Sequence, residues 1–264
     1  MYTGPVIDTH THPLINEKQR LAVFEHTAQD YADKADGTGV SKAAALTIAQ
    51  EGELTETAKD NDAVLRLAEQ FNGFYFPVCS VHPRDGRAAT AELDRVAQAG
   101  AKWLKLHPNT QQFDVSDDVV VDIVRRAGEL GMPILFDAYS PFDPAQPGKF
   151  IELAMTCQDS TLILAHAHGP NFSALLAYHM LAKYPWWKRN VYIDVSVAAP
   201  TFADGPYAEQ FVWILRKVGI DRILFGSDFP LYSPIEALDA VGSLGFTDQE
   251  QAQILHDNAA TLLE

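Results

Sequence analysis

The chain has few cysteines and few basic residues. Its 264 residues include only Cys79 and Cys157, each inside an apolar run. Cysteines in such runs usually pack as small hydrophobic side chains, which argues against a disulfide framework. Twenty basic residues against 35 acidic ones give a net charge of −15. This charge argues against unaided binding to nucleic acid or to an anionic membrane surface.

Long apolar runs are missing as well. No stretch approaches the roughly 18 apolar residues of a membrane span, and the first residues lack the basic and apolar regions of an export signal. We therefore expect a cytoplasmic location. The apolar fraction of 47% and the charged fraction of 21% are typical of a globular protein. The length suits one large α/β domain over residues 1–264, and homo-oligomerisation is left open.

Glycine divides the chain at regular intervals. Gly73, Gly100, Gly131 and Gly219 each follow a predicted helix and precede an apolar run. Glycine just past a helix adopts the left-handed cap conformation without a Cβ penalty. The spacing is about 30 residues, or a multiple of it, which is the length of a βα unit.

Eight strands fit this spacing. They cover residues 5–9, 42–49, 74–81, 102–107, 132–137, 161–166, 191–196 and 222–227. Eight parallel strands in a chain of this length predict a closed (β/α)8 TIM barrel. An open doubly wound sheet is the alternative, but it would normally carry a glycine-rich phosphate loop where His-Thr-His-Pro stands.

Two further helices are predicted at the ends of the chain. Apolar residues at helical spacing predict a surface helix over residues 16–36. Residues 247–263 predict a C-terminal closing helix, with Thr247 and Glu250 in capping-box register.

Polar residues stand at the carboxyl ends of most of the predicted strands, where the active sites of barrels are found. His10 and His12 follow the first strand, and an i, i+2 pair on extended backbone faces one side. The others are His82, Lys105, His107, Asp137, His166, His168, Asp194, Ser196, Ser227 and Asp228. Imidazoles and carboxylates converging in one cleft are the donors that a borderline-soft divalent ion requires.

Five segments resemble the amidohydrolase superfamily, and most closely its amidohydrolase-related branch of metal-dependent TIM-barrel hydrolases and decarboxylases. The segments are IDTHTHP at 7–13, KLHP at 105–108, ILAHAHG at 163–169, RILFGSDFP at 222–230 and DNAATLL at 257–263. They occur in the family's order and span nearly the whole chain. The combination of His-x-His with FGSDFP is the specific part of the match.

The resemblance implies roles for individual residues. His10 and His12 match metal ligands, and Asp228 matches a residue that touches the metal and is general base toward its water. His166 matches a histidine that polarises the substrate or relays a proton. Lys105 falls where many members keep a basic residue near the substrate, although a lysine stem covering the barrel rim is an equal alternative.

One position departs from the family pattern, because Asp137 stands where a strand-5 histidine ligand is usual. We expect Asp137 to be a fourth ligand of one divalent ion; otherwise His166 or His107 completes the shell. Zinc is the first expectation, with manganese or iron open because two carboxylates make a harder site. His107 and His168 are expected at the substrate pocket or behind the ligands. Asp194 is expected to orient a neighbouring donor.

The expected reaction is hydrolysis of an ester, lactone or amide bond of a small organic acid, whose carboxylate Lys105 would bind. Decarboxylation of an aromatic or unsaturated acid uses the same constellation in related enzymes and is the first alternative. A TatD-like deoxyribonuclease is the next, although the −15 charge and the lysine in place of that family's strand-4 glutamate count against it. From a different class, a catalytically silent binding protein could have kept the fold and lost the strand-5 ligand. Ser196 and Ser227 lack the strand-turn-helix elbow of a serine nucleophile.

Overall fold

Eight short parallel strands form the centre of the protein. The structure, a computed structural model, describes residues 2–15 and 26–264. Each strand pairs with the next one in the chain, so the sheet order is β1 to β8. The strands are β1 Val6–Asp8, β2 Val40–Leu46, β3 Tyr75–Ser80, β4 Trp103–Leu106, β5 Ile134–Asp137, β6 Leu162–Ala165, β7 Val191–Asp194 and β8 Ile223–Leu224. This order, with helices between the strands, confirms the predicted TIM barrel.

Helices surround the sheet on its outside and at one end. They are α1 Ala28–Ala35, α2 Leu54–Gln70, α3 Arg87–Gln98, α4 Pro108–Gln111, α5 Asp118–Glu129, α6 Gln146–Thr156, α7 Leu176–Leu181, α8 Ala198–Phe202, α9 Ala208–Val218, α10 Pro234–Ser243, α11 Asp248–Ala252 and α12 Asn258–Leu263. In α5 the buried residues are Val120, Ile123, Val124 and Ala127, spaced as one helix face. None of the helices within 2–15 and 26–264 is long and apolar enough to cross a membrane.

The two terminal helix predictions have different outcomes. Only the last part of the 16–36 helix is described, as α1, which begins with a capping box between Thr27 and Asp30; residues 16–25 lie outside the described residues. The capping box of Thr247 and Glu250 is confirmed. The closing segment is two helices, α11 and α12, joined by a π-helical turn at Gln253–Asp257 rather than one continuous helix.

The predicted glycine caps are confirmed, and the predicted strand lengths are too long. Gly73 and Gly131 have φ of 79° and 68°, the conformation that favours glycine. Strand β8 is two residues long instead of six because the backbone after Leu224 bonds irregularly to the chain beyond β1, as in Thr9 N to Phe225 O at 2.9 Å.

Two apolar layers stabilise the barrel. The inner layer fills the barrel below the strand ends, and it includes Ile7, Leu46, Phe76, Val78, Trp103, Leu135, Ile163 and Leu224. Ala259 of α12 belongs to the same cluster, so the closing helix covers one end of the barrel. The outer layer lies between the strands and the surrounding helices. The polar residues at the carboxyl ends of the strands line the opposite end of the barrel.

The cysteines lie in this core, and we predict that they are unreactive in the folded protein. Cys79 and Cys157 are 0% and 3% exposed and form no disulfide. Burial raises the pKa of both thiols, which suppresses the reactive thiolate. Native protein should release almost no chromophore from Ellman's reagent, and protein unfolded in guanidinium should release two equivalents. Rapid titration of either thiol in native protein would contradict this burial.

A second prediction concerns the cap of α11. Glu250 accepts hydrogen bonds from Arg216 Nε at 2.7 Å and Nη2 at 2.9 Å, and from the Thr247 backbone N–H at 2.8 Å. Arg216 is the main cause that lowers the pKa of Glu250 to about 2. A lowered carboxyl pKa stabilises the fold above the unfolded value near 4.5, and this stabilisation disappears as the pH falls toward 2. Glu250→Gln should therefore lower the free energy of unfolding by about 1 kcal/mol at pH 7.

Urea denaturation at pH 7 and at pH 2.5 checks this prediction, and the difference between wild type and Glu250→Gln should shrink at the lower pH. Glu236→Gln is the matched control, because Glu236 caps α10 in the same way and its hydrogen bonds within the described residues are to Ser233. The control should show the smaller loss at pH 7. Equal losses in both variants would mean that Arg216 contributes nothing.

Candidate metal centre

The carboxyl ends of the strands bring most of the predicted polar residues together. On β4, β5 and β7 the side chains alternate between the two faces of the sheet. Trp103 and Leu135 lie in the inner apolar layer, and Tyr192 packs against it. Two residues further along the same strands stand Lys105, Asp137 and Asp194, all of them buried. These three polar side chains therefore lie on the inner face of the barrel, directly above its apolar layer.

Three candidate ligand atoms from the two ends of the chain form a compact triangle. His10 Nε2 lies 3.2 Å from His12 Nε2 and 3.4 Å from Asp228 Oδ1, and His12 Nε2 lies 3.3 Å from the same oxygen. Atoms that share one ion at bond lengths of about 2.0–2.2 Å are separated by about 3.0–3.5 Å. The triangle of His10, His12 and Asp228 therefore has the dimensions of a metal coordination shell.

His166 lies beside the triangle, and in its neutral form it could be a fourth ligand. Ligand atoms of His10, His166 and Asp228 all lie within 4.8 Å of one another. The rings of His10 and His166 are stacked, with centroids 5.1 Å apart. An imidazole-rich set with one or two carboxylates fits a borderline divalent ion in donor type as well as in spacing.

The protonation states of the triangle also suit a metal. Burial is the main cause that lowers the pKa of both His10 and His12, so both rings are neutral near pH 7. For Asp228, burial raises the pKa, but His12, His166 and Lys105 outweigh it and the net shift is downward. Neutral imidazoles and an ionised carboxylate are the forms in which these side chains bind metal.

Asp194 lies behind His10 and fixes its orientation. The Nδ1 atom of His10 lies 2.7 Å from Asp194 Oδ2, and the Ser196 hydroxyl donates to the same oxygen at 2.7 Å. A carboxylate at Nδ1 holds the proton there and leaves the lone pair of Nε2 facing the triangle. Asp194 thus orients a neighbouring donor, as the sequence predicted. Packing is tight, since a Cβ on Gly226 would lie 2.7 Å from Asp194 Oδ1 and 2.8 Å from His10 Cβ.

Lys105 reaches the centre of the site instead of covering the rim. Its side chain is fully buried, and its Nζ atom lies 3.0 Å from His10 Nε2. Burial lowers the pKa of Lys105, and the charges of Asp137, Asp228 and Asp194 oppose that shift. The structure thus places the Lys105 Nζ atom against the lone pair of His10 Nε2.

Asp137 contacts His166 and lies close to His107. Its Oδ2 atom is 3.1 Å from His166 Nε2 and 3.6 Å from His107 Nε2. Burial opposes protonation of His166, but the hydrogen bond to Asp137 and nearby carboxylates raise its pKa to about 9. Burial lowers the pKa of His107 to about 4. Asp137 Oδ1 is buried and has no hydrogen-bond partner among the described residues. The role of Asp137 as a metal ligand stays a prediction.

His168 lies in the wall of the site. Its Nδ1 atom donates to the Ala138 carbonyl at 2.8 Å, and its ring lies 5.8 Å from that of Phe150. The Nε2 atom is buried and has no partner within residues 2–15 and 26–264, which leaves it able to accept a hydrogen bond from a ligand. Its assignment to the substrate pocket remains a prediction.

Backbone strain collects around these residues. Positive φ values occur at His166 (61°), Ala167 (49°), His168 (62°), Val197 (58°) and Asp228 (56°). Residues other than glycine adopt this conformation at a cost of about 1–2 kcal/mol each, and such residues cluster at functional sites.

Sequence reasoning missed two residues that hold the site together. Gln111 joins three strand ends, because its Nε2 donates to the carbonyls of Ala49 and Val81 and its Oε1 accepts from the His107 N–H. His82, a predicted strand-end residue, donates to the Gln111 carbonyl at 2.7 Å and so helps to hold Gln111 in place.

The other missed residue is Asp8. A carboxylate inside an apolar strand was a signal that could have indicated its role.

Comparison with known proteins identifies the family. A family model described as Amidohydrolase matches residues 7–264. The chain belongs to the amidohydrolase family. The resemblance inferred from the sequence segments is thereby confirmed.

Three proteins that this amidohydrolase resembles are at most 24% identical to it. The chain is 24% identical to the uncharacterized protein y4mH of Sinorhizobium fredii over 143 residues. This alignment covers 44% of the chain and 43% of y4mH, so less than half of that relative is matched. A provisionally assigned 2-pyrone-4,6-dicarboxylic acid hydrolase from Pseudomonas putida is 19% identical, with a TM-score of 0.73 over 99% of this chain and 98% of that one. A 5-carboxyvanillate decarboxylase from Novosphingobium aromaticivorans, complexed with manganese, is 14% identical, with a TM-score of 0.72 over 98% and 96% of the two chains. At these identities the solved structures show a shared fold.

Proposed function

We propose that this amidohydrolase is a metal-dependent hydrolase of an ester, lactone or amide bond in a small organic acid. The observation that carries the proposal is the triangle of His10, His12 and Asp228, with sides of 3.2 to 3.4 Å. A divalent ion held there supplies Lewis acidity toward a substrate or water oxygen. Zinc suits the imidazole donors best, and manganese or iron would suit a shell that includes Asp137.

The chain's own residues supply the remaining chemistry. The Asp228 carboxylate, ionised at neutral pH, accepts the proton of the attacking water. The positive charge of the His166 imidazolium, whose ring nitrogens contact Asp137 and Ser196, stabilises the oxygen on which negative charge develops. Lys105 offers its ammonium group to the carboxylate of the acid, and His107 and His168 line the place where the rest of the acid lies.

Decarboxylation of an aromatic or unsaturated acid is the second candidate, and one observation favours it. His166 Nε2 lies 3.1 Å from Asp137 Oδ2, and this hydrogen bond together with nearby carboxylates raises the pKa of His166 to about 9, which favours a protonated ring near neutral pH. When the bond between the carboxyl group and its carbon breaks, CO2 leaves and the electron pair stays on that carbon. The His166 imidazolium could transfer its proton to this carbon, which balances the reaction.

A metal titration combined with a substrate panel tests both candidates. Protein freed of metal with a chelator is titrated with zinc or manganese by calorimetry, then assayed with esters, lactones, amides and hydroxybenzoates, the last for CO2 release. We expect micromolar or tighter metal binding and hydrolysis. His12→Ala should weaken both, whereas His256→Ala, at a histidine paired with Asp257 outside the site, should weaken neither.

Full activity in both His12→Ala and Asp228→Asn would overturn the proposal. A wild-type protein that binds no metal and shows no thermal shift with zinc or manganese would favour the catalytically silent binding protein. Cleavage of DNA by the loaded protein would favour the TatD-like alternative. We further propose that the protein is cytoplasmic, acts on a small molecule and binds neither nucleic acid nor a membrane. The molar mass of the same purified sample in solution shows whether it forms a homo-oligomer.

A further inference from the structure

The metal triangle is built across the one junction of the barrel that lacks a regular ladder. Within the described residues, strand pairing runs from β1 to β8 and no ladder joins β8 to β1. His10 and His12 follow β1, and Asp228 follows β8. Three backbone bonds connect these segments: Thr9 N to Phe225 O at 2.9 Å, Asp228 N to His10 O at 2.8 Å and His12 N to Phe229 O at 2.7 Å.

Asp8 adds a side-chain contact to this junction. Its Oδ1 atom accepts from the Ser227 N–H at 2.9 Å and from the His10 N–H at 3.2 Å. Its Oδ2 atom accepts from the Tyr31 hydroxyl at 2.7 Å. Asp8 and Tyr31 are both fully buried. One oxygen atom therefore contacts the backbone of His10 and the backbone of the residue just before Asp228.

This contact acts where the backbone is held in an unfavourable conformation. Asp228 has a φ of 56°, and the segment that carries it has left the β8 ladder. A metal shell tolerates only small changes in the separation of its ligand atoms, so the two segments must be held in a fixed relation. Among the described residues two side chains add to the backbone bonds: the Thr9 hydroxyl donates to the Phe225 carbonyl at 2.8 Å, and Asp8 Oδ1 joins the N–H groups of His10 and Ser227.

We propose that Asp8 is a positioning residue for the metal centre. It sets the distance between His10 and Asp228 through the two backbone N–H groups on Oδ1, and it acts by accepting hydrogen bonds rather than by its charge. The inference rests on the proposed function, because it assigns a role toward the metal that the triangle is proposed to hold.

Two substitutions at Asp8 separate position from charge. In Asp8→Asn the amide oxygen can keep both backbone bonds while its NH2 group donates to the Tyr31 hydroxyl, so the geometry survives without the charge. In Asp8→Leu the volume is similar, but both N–H groups lose their acceptor. We expect the zinc or manganese Kd of Asp8→Asn to stay within about threefold of wild type, and that of Asp8→Leu to rise about 10- to 100-fold, as for other residues that orient ligands.

Tyr31→Phe controls for general destabilisation, because it removes the bond to Oδ2 and leaves Oδ1 untouched. It should lower Tm and leave the metal Kd within threefold. If Asp8→Leu does not fold, Asp8→Ser replaces it, since the shorter side chain also leaves the Ser227 N–H without its acceptor. The inference is overturned if the metal Kd of Asp8→Leu, or of Asp8→Ser in its place, equals that of wild type. It is also overturned if the metal Kd of Asp8→Asn rises as much as that of Asp8→Leu or Asp8→Ser. Absence of metal binding by wild type overturns the proposed function instead, and this inference with it.

Discussion

Asp228→Asn is expected to lose at least about a thousandfold in kcat/KM against whichever substrate the wild type converts by hydrolysis. The carboxylate lies 3.3 to 3.4 Å from the Nε2 atoms of both histidines of the triangle. An amide at this position cannot accept the proton of a water molecule, and it is a weaker ligand than a carboxylate. The substitution therefore removes the proposed proton acceptor and part of the proposed metal shell together.

The choice of asparagine keeps the backbone intact. Asp228 has a φ of 56°, and asparagine tolerates this left-handed conformation about as well as aspartate does. The N–H of residue 228 still donates to the His10 carbonyl at 2.8 Å. Loss of activity in Asp228→Asn can thus be assigned to the side chain, which a replacement by alanine would not permit.

The measurement is kcat/KM together with metal content and Tm. Asp257→Asn is the matched control, because Asp257 is an exposed aspartate beside His256 and lies outside the site. The control should keep wild-type activity. Asp228→Asn with activity within tenfold of wild type and full metal content would refute the general-base role.

Much of the fold could be predicted because it depends on local patterns. Glycine caps at Gly73 and Gly131 and the apolar runs between helices follow from residue type and spacing alone. The length of β8 could not be predicted in this way. It depends on which backbone groups after Leu224 meet the chain beyond β1, and that contact joins residues more than 200 positions apart, such as Thr9 and Phe225.

The same distinction between local patterns and long-range contacts applies to the candidate site. His10, His12 and Asp228 could be nominated from motifs, because strand ends converge in any barrel. The direction of a side chain at a strand end depends on its rotamer and neighbours. Asp137 turns one oxygen toward His166, and Lys105 reaches His10, and neither contact follows from a one-dimensional pattern. For Asp8, the carboxylate inside an apolar strand is a signal of a role, but the backbone N–H groups that it contacts cannot be predicted from a one-dimensional pattern.

Asp194→Asn should have the second largest effect, with a metal Kd about 10- to 100-fold higher than that of wild type and a comparable loss in kcat/KM. The Oδ1 atom of Asp194 accepts from the Ser196 N–H at 2.7 Å, and this bond would keep the amide oxygen of asparagine in place. The NH2 group then takes the position of Oδ2 and faces the Nδ1 atom of His10. Two donors cannot share that contact, so His10 must move its proton to Nε2 and lose the lone pair that faces the triangle.

Ser196→Ala separates this tautomer effect from a general loosening of the site. The Ser196 hydroxyl lies 3.2 Å from His10 Nδ1 and 3.1 Å from His166 Nδ1, so its removal disturbs both rings but leaves the Asp194 carboxylate in place. We expect its metal Kd to stay within about fivefold of wild type. Calorimetric titration of both variants with zinc, and NMR of the His10 ring nitrogens, distinguish the two effects. If Ser196→Ala weakens binding as much as Asp194→Asn does, the packing of the ring, and not the position of its proton, controls the affinity of the triangle.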